Sequence, residues 1–456
     1  MQQGTPDRRP WILLIVFTIV AAVTITTAAV VFGRTTIDGT PMAVGANGAA
    51  AQTGSKWRHG AADMPSYDEG VAAWTAGDLF VVLNDEHVSA YAQADGALRW
   101  RIEPPEGVFC GAGTAVVQNR VAVAYGGGCA VAALLDFGTG SFVWQQPFKT
   151  PQYDDKPAKS ASLEIIEDTV VVTQSFGMAG LEVATGRTKW SKPTPPDTPE
   201  KGLHCRAKDA MPQGRAVALL VTCLNSYPEF DLAIVAVDVA GTVTKEKTLV
   251  KPIPTATIVP AWVSTTPPVI FLDDADDESA YLMLDDTFTP TARVEAGNYE
   301  TGLARPQMDF NGDDASGSLH SRMRALVTDG LLVTVTGVAP ALPSSIVAFD
   351  LKNGEKKWET PAAEGDRFMA PVAVDNGEII AEVAPPDDDE GPQRVVRVKP
   401  ADGALTVVGT YQMDDDPKTK GISLIAFYEF FWAGGVMFAA MGDYNQYAGA
   451  LVCRFG

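Results

Sequence analysis

Short apolar runs separated by clusters of Gly, Pro, Asn and Asp recur along most of this chain, and none of them sustains a helical period of 3.6 residues. Phe80-Val81-Val82-Leu83, Val121-Ala122-Val123-Ala124, Val170-Val171-Val172, Ala216 to Val221, Leu331 to Val335 and Glu378 to Val383 are typical. Apolar segments this short, bounded by turn formers, predict strands. The bulk of the chain is therefore expected to be all-β.

The N-terminus departs from this pattern. Ile12 to Phe32 is a run of 21 residues without a charge, and about 20 apolar residues span the hydrocarbon core of a bilayer. Residues 12–33 are expected to form one transmembrane signal anchor, with Trp11 at the interface and 1–11 in the cytoplasm. A cleaved secretory signal is the competing reading, but its apolar core would normally be only about 7–15 residues. No cysteine precedes Cys110, which argues against a lipidated N-terminus. Arg8 and Arg9 before the span against Arg34 after it favour an inside N-terminus. The best later span, Ile422 to Met441, is interrupted by Glu429 and glycines, so the remainder is expected outside. Residues 34–55 are small, polar and glycine-rich, as a flexible tether would be. The folded domain is expected over 56–456.

Within that domain one segment repeats. Val88 to Trp100 reads as an apolar strand, a turn on Gly96, then Trp100 four residues later. Gly140 with Trp144, Gly186 with Trp190 and Gly354 with Trp358 keep that spacing. Copies without tryptophan lie around Gly241, Asp286-Thr287 and Gly403. Each unit is a hairpin in which glycine supplies the positive φ of the turn and tryptophan sits on the return strand.

Trp57, Trp100, Trp144 and Trp190 are 43, 44 and 46 residues apart, about the length of a four-stranded blade. Such a sheet buries both faces only by stacking on others, and radial stacking makes a propeller. Seven hairpins are internal. Thr53 to Trp57 resembles a half-hairpin, and strands near Leu424 to Phe431, Gly435 to Met441 and Ala448 to Phe455 lack a partner. Joining the two ends predicts eight blades, with seven as the fallback, and tryptophans Trp57, Trp100, Trp144, Trp190 and Trp358 packing between blades.

Charge changes the picture of partners. With 35 Lys+Arg against 56 Asp+Glu the formal charge is −21, which excludes nucleic acid as an expected partner. The acidic runs at Asp273 to Glu278, Asp387 to Glu390 and Asp414 to Asp416 are expected to be solvated loop tips, with calcium binding the minor alternative. Cys110 with Cys129 and Cys205 with Cys223 are similarly spaced pairs whose midpoints, at Asn119/Arg120 and Gly214, fall on turn formers. Residues symmetric about a hairpin turn face each other, so each pair is expected to form a cross-strand disulfide in an oxidising compartment. Cys453 is left over.

The strand, Asp, Thr/Asn/Asp-Gly, three residues and Trp resemble the repeat of quinoprotein-type propellers, the family containing PQQ-dependent alcohol dehydrogenases and the BamB assembly lipoproteins. The resemblance covers 56–456 and implies fold more than activity. The dehydrogenase branch carries a vicinal Cys-Cys disulfide over the quinone, calcium ligands and an aspartate base; no Cys-Cys dipeptide occurs here, and no functional residue carries over. The sequence looks most like membrane-anchored PQQ-like repeat proteins of high-GC Gram-positive bacteria.

Other residues give little chemistry. His59, His87, His204 and His320 are scattered without ligand spacing. Asp309-Phe310-Asn311-Gly312-Asp313-Asp314 begins like a calcium loop but has Asp314 at position six and His320 at position twelve. Gly111-Ala112-Gly113 does not complete a dinucleotide fingerprint, since Val116 follows where glycine is required. The expectation is a non-catalytic binding or scaffold module for an envelope protein or wall component, without a cofactor. The alternative is an enzyme, such as a divergent quinoprotein oxidoreductase, with its site at the propeller axis.

Overall fold

A computed structural model of the chain describes residues 55–59, 72–150, 158, 160–195, 204–226, 229–254, 259–273, 279–297, 325–336, 344–363, 368–384, 393–411, 428–441 and 452–455. The expected membrane anchor and tether up to residue 54 lie outside these residues. Among the described residues no helix is long and apolar enough to cross a membrane. Compact units fall at Met1–Thr35 and Thr36–Gly456, and the strands lie in the second.

The alternating apolar runs become thirty-two strands. β1 (Ser55–His59) is followed by the first sheet, β2 (Ala72–Ala76), β3 (Leu79–Leu83), β4 (Val88–Ala92) and β5 (Leu98–Ile102). The second sheet is β6 (Phe109–Ala112), β7 (Arg120–Tyr125), β8 (Val131–Asp136) and β9 (Ser141–Pro147). The third is β10 (Ser162–Ile166), β11 (Thr169–Thr173), β12 (Gly177–Glu182) and β13 (Thr188–Pro193). The fourth is β14 (His204–Gln213), β15 (Ala216–Ser226), β16 (Glu229–Asp238) and β17 (Val243–Pro254). The fifth is β18 (Val259–Thr265), β19 (Pro268–Asp273), β20 (Ala280–Leu284) and β21 (Pro290–Glu295). The sixth is β22 (Ala325–Thr328), β23 (Leu331–Thr336), β24 (Ser345–Asp350) and β25 (Lys356–Pro361). The seventh is β26 (Phe368–Asp375), β27 (Glu378–Ala384), β28 (Gln393–Val398) and β29 (Leu405–Tyr411). Finally come β30 (Tyr428–Ala433), β31 (Val436–Met441) and β32 (Val452–Phe455).

All of these are antiparallel four-stranded sheets, eight in number among the described residues, and the last has the order β1-β32-β31-β30. The two chain ends thus meet in one sheet: Trp57 lies opposite Arg454 and His59 opposite Val452. The half-hairpin at the start of the domain finds its partner there, with β1 running over Ser55–His59.

Buried side chains from each sheet interleave with those of the next, and the fold is an all-β propeller of four-stranded blades. Val81, Leu83 and Ala90 of the first sheet share a core with Val121, Val123 and Ala133 of the second. Leu134 of the second meets Leu163 and Val172 of the third. Val171 and Met178 meet Val217 and Leu219, and Leu220 and Ile234 meet Trp262 and Ile270. Phe271 and Tyr281 meet Leu332 and Val347, and Val333 and Ile346 meet Ile379 and Val396. β26 then lies beside β30, and Phe438 of the last sheet stacks on Phe80 of the first at 4.5 Å between ring centroids.

The repeated tryptophans reach across these interfaces rather than onto the turn glycine of their own hairpin. Trp100 donates from Nε1 to the Phe137 carbonyl at 3.1 Å, Trp144 to Val183 at 2.7 Å, Trp190 to Val239 at 2.8 Å and Trp358 to Pro400 at 2.7 Å. The ring in each case covers the turn glycine of the following sheet, respectively Gly140, Gly186, Gly241 and Gly403. The Gly241 and Gly403 turns belong to tryptophan-less copies of the repeat, so a copy can lack its own indole and still receive one. Gly354 faces Arg293 and Val294 instead, because the fifth sheet has no tryptophan in this place. Gly96 shares the positive φ, at 71°; the Trp57 side chain lies outside the described residues.

The aspartate of the repeat closes the same turns. Asp350 Oδ1 accepts the Lys352 N–H at 2.8 Å, and that bond, reinforced by Lys357, holds its carboxyl below the usual carboxylate range. Asp136, Asp238 and Asp285 accept equivalent turn amides.

Candidate functional site on the first strands

The first strands of successive sheets lie next to one another, β6 by β10, β10 by β14 and β14 by β18. Four residues on these strands reach sideways onto a neighbouring sheet. Trp74 of β2, 5 % exposed, donates from Nε1 to the Gly113 carbonyl at 3.1 Å. Glu164 of β10 reaches back to the same loop: Oε1 accepts the Thr114 N–H at 3.3 Å, and Oε2 lies 3.0 Å from Thr114 Oγ1. Asp209 of β14 accepts the Trp262 N–H of β18 at 2.7 Å and the adjacent Ala210 N–H at 2.8 Å. Trp262 returns its indole N–H to the Ala218 carbonyl of the fourth sheet at 3.1 Å.

Two glycines let the second and third sheets close on each other. A Cβ on Gly111 would stand 2.0 Å from the Ala161 carbonyl oxygen, and one on Gly113 2.6 Å from that of Leu163. Neither distance admits a side chain. Gly111-Ala112-Gly113 is thus a strand-packing device, which accounts for its incomplete fingerprint.

Glu164 is 1 % exposed, and its pKa is pushed up to about 8 by burial, with the Asp209 charge adding to the rise and the Thr114 hydrogen bonds opposing it. Asp209 is less fully enclosed by surface area; burial raises it to about 6 against the pull of the Trp262 and Ala210 amides. A carboxyl with a raised pKa stays neutral where an exposed one is ionised, because the interior solvates the charge poorly. Here the two acids can hold a proton near neutral pH. On the neighbouring face, Tyr281 sets its hydroxyl 3.3 Å from Thr334 Oγ1 across the fifth and sixth sheets.

The predicted disulfides are both present. Cys205 and Cys223 are register partners on β14 and β15 with Cα atoms 4.0 Å apart, as hairpin symmetry requires. Cys110 and Cys129 are bonded at a Cα separation of 5.9 Å but are not cross-strand neighbours. Cys110 sits in the irregularity between Phe109 and Gly111, and Cys129 lies beyond β7 in the turn before β8 at φ 51°. Counting from the turn misplaced this pair because the hairpin is centred earlier than the midpoint of the two cysteines: Phe109 pairs with Tyr125 and Gly111 with Ala124, so Cys129 falls beyond the end of β7. Both bonds tie a first strand to the far end of the second strand or the turn after it.

Among the histidines, His87 is 4 % exposed and sits in the turn between β3 and β4. Its own N–H and ring both meet the Asn84 side chain, and burial, with Arg101 nearby, lowers its pKa to about 4. The loop at Asp309 to Asp314 and the acidic runs at 387–390 and 414–416 lie outside the described residues. Cys453 stands on β32 opposite Arg58 and Ala439.

A family model described as outer membrane protein assembly factor BamB matches residues 46–257. No curated protein sequence matches the chain. Among solved structures, a quinohemoprotein alcohol dehydrogenase from Pseudomonas putida HK5 superimposes with a TM-score of 0.54 at 12 % identity, covering 89 % of this chain and 76 % of that one. A europium-containing methanol dehydrogenase gives 0.53 at 10 % identity over 88 % of this chain and 93 % of that one. Such low identities speak for the fold alone. The chain is similar in fold to PQQ-like propeller proteins, and the family model matches a little under half of it. Its tryptophan and glycine contacts are the physical basis of its repeat.

The quinone and calcium centre that the dehydrogenase likeness implies does not fit the described residues. No three of His, Cys, Asp or Glu come together there as ligands for a metal ion, and four of the cysteines are held apart in two separate bonds.

Proposed function

We propose that this chain is a membrane-anchored, eight-bladed propeller outside the cytoplasm that acts without catalysis as a scaffold for another envelope protein or a wall component. The pair of disulfides carries the reading. Disulfides persist in oxidising compartments, and these two staple first strands of the second and fourth sheets. The uncharged run before the tether supplies the single membrane span, N-terminus inside. The likeness to an assembly factor over 46–257 supports a partner of the protein class. The buried carboxylates bind backbone amides of adjacent strands, as structural bridges do.

The test is crosslinking in native membranes followed by affinity purification of the full chain, with an absorption spectrum and metal analysis of the product. A stoichiometric envelope protein or wall fragment supports the proposal. Stoichiometric bound quinone with calcium overturns it in favour of an oxidoreductase. Resistance of the propeller to protease added outside intact spheroplasts, with cleavage after lysis, overturns the topology.

A further inference from the structure

We propose that the Cys110–Cys129 bond is a site of thiol–disulfide exchange with a dithiol reductant, and that opening it releases a latch between the second and third sheets. Both half-cystines lend a main-chain carbonyl to the third sheet. The Cys110 carbonyl accepts the Ala161 N–H at 3.1 Å, and the Cys129 carbonyl accepts Gln174 Nε2 at 3.0 Å. The bond fixes the position of these two acceptors. Cys110 falls in the irregularity between Phe109 and Gly111, outside the register of β6 with β7. Cys129 ends a turn built on Gly126, Gly127 and Gly128, in which Gly126 stands at φ 90° and Gly128 at φ 73°. That turn is tied to the β6 side at its first residue, where the Gly126 N–H meets the Val108 carbonyl at 3.0 Å. Cys129 itself is held at φ 51°, a conformation that L side chains disfavour, so the closed turn stores backbone strain that opening relieves.

The second bond is held differently. Cys205 and Cys223 are register partners, flanked by His204 with Leu224 and by Arg206 with Thr222, so the ladder keeps them in place with or without the bond. Both are buried, as is Cys129. Of the four bonded cysteines Cys110 is the one partly exposed. Exchange requires a thiolate to reach a sulfur, and exposed or strained bonds exchange before enclosed ones. One thiolate of the reductant attacks Cys110 Sγ, the S–S electron pair passes to Cys129 Sγ, and that sulfur takes a proton. The second thiolate of the reductant then displaces Cys110, which takes a proton in turn, and the reductant leaves as a disulfide. Two electrons and two protons reach the protein. The glycine turn is then free to leave its left-handed conformation, and the Ala161 and Gln174 contacts lose their fixed acceptors.

This latch is independent of any partner. The test exposes the native full chain to dithiothreitol, traps thiols with N-ethylmaleimide at intervals and maps the labelled peptides. Cys110 and Cys129 are expected to be labelled about tenfold faster than Cys205 and Cys223. Labelling of all four together, or of Cys205 and Cys223 first, overturns the assignment. Hydrogen exchange on the protein reduced at Cys110–Cys129 alone reads the seam. The amide of Ala161, a fully buried residue, is expected to exchange about tenfold faster than in the oxidised protein, while that of Trp262, bound to Asp209 across another seam, keeps its rate. An unchanged Ala161 rate overturns the latch, and equal acceleration at Trp262 overturns it in favour of general loosening. Cys110→Ala/Cys129→Ala is expected to show the fast Ala161 exchange without reductant, and a slow rate there overturns the latch. Where that variant fails to fold, the labelling order and exchange of the wild type decide the matter.

Discussion

Gly186, at φ 72°, lies so close under the indole of Trp144 that a Cβ on it would stand 2.6 Å from the ring. The indole N–H of Trp144 meanwhile binds the Val183 carbonyl three residues before that glycine. Removing the ring as Trp144→Ala forfeits its packing and leaves a hole between the second and third sheets, expected to cost about 3–5 kcal/mol. Gly186→Ala attacks the same contact from below through overpacking and a disfavoured φ, at about 1–3 kcal/mol. Denaturant unfolding of both single variants and the double variant checks this. The double variant should lose less than the sum of the two, since one contact cannot be removed twice.

The disulfide between Cys205 and Cys223 closes a hairpin of 18 residues in sequence separation. Loop-closure entropy puts its contribution at about 3 kcal/mol. The double variant Cys205→Ala/Cys223→Ala should lower the unfolding free energy by about that amount, and reductant, which also opens Cys110–Cys129, should lower that of the wild type further. Non-reducing peptide mapping should recover Cys110 with Cys129 and Cys205 with Cys223. Recovery of all four as free thiols would sink both bonds.

His87 gives an acid-side prediction. Its folded pKa, about 4, lies below the ordinary 6.5, so the unfolded chain takes up the proton first as pH falls. The stability that neutral His87 contributes is fully present above pH 6.5 and is lost progressively between 6.5 and about 4. Histidine NMR should report the low midpoint, and His87→Gln should flatten that part of the stability profile.

Glu164 acts with the opposite sign. Its folded pKa, about 8, stands above the ordinary 4.5, so the folded state holds a proton that the unfolded state has released. Its contribution is fully present below pH 4.5 and is lost as pH rises to about 8. Denaturation midpoints measured from pH 4 to 9 should therefore fall on the alkaline side in the wild type and less steeply in Glu164→Gln.

Much of the architecture is legible in the chain because its signals are local. Glycine at a positive φ marks a turn whatever surrounds it, and short apolar runs bounded by turn formers mark strands, so the hairpins at Gly96, Gly140, Gly186 and Gly354 and the pairing of chain ends are read directly. Glu164 and Asp209 were missed, although a faint signal exists: Glu164 interrupts the apolar run Leu163 to Ile166. A lone acid on a strand reads as solvent-facing until its neighbours are known. Trp74 and Trp262 lacked the four-residue spacing from glycine and were passed over for the same reason.

By itself, the sequence determined the strand class, the blade-length repeat, the cysteine pairs and the uncharged N-terminal run, all of which depend on periodicity or composition along the chain. Tertiary structure decided which tryptophan covers which glycine, why Cys129 bonds from a turn, and that two acids from adjacent sheets share one buried environment. The tryptophan–glycine and carboxyl relations join residues some 40 to 50 positions apart across blade interfaces, and the Cys129 bond departs from hairpin symmetry within one sheet; in each case proximity is set by packing rather than by spacing in the chain.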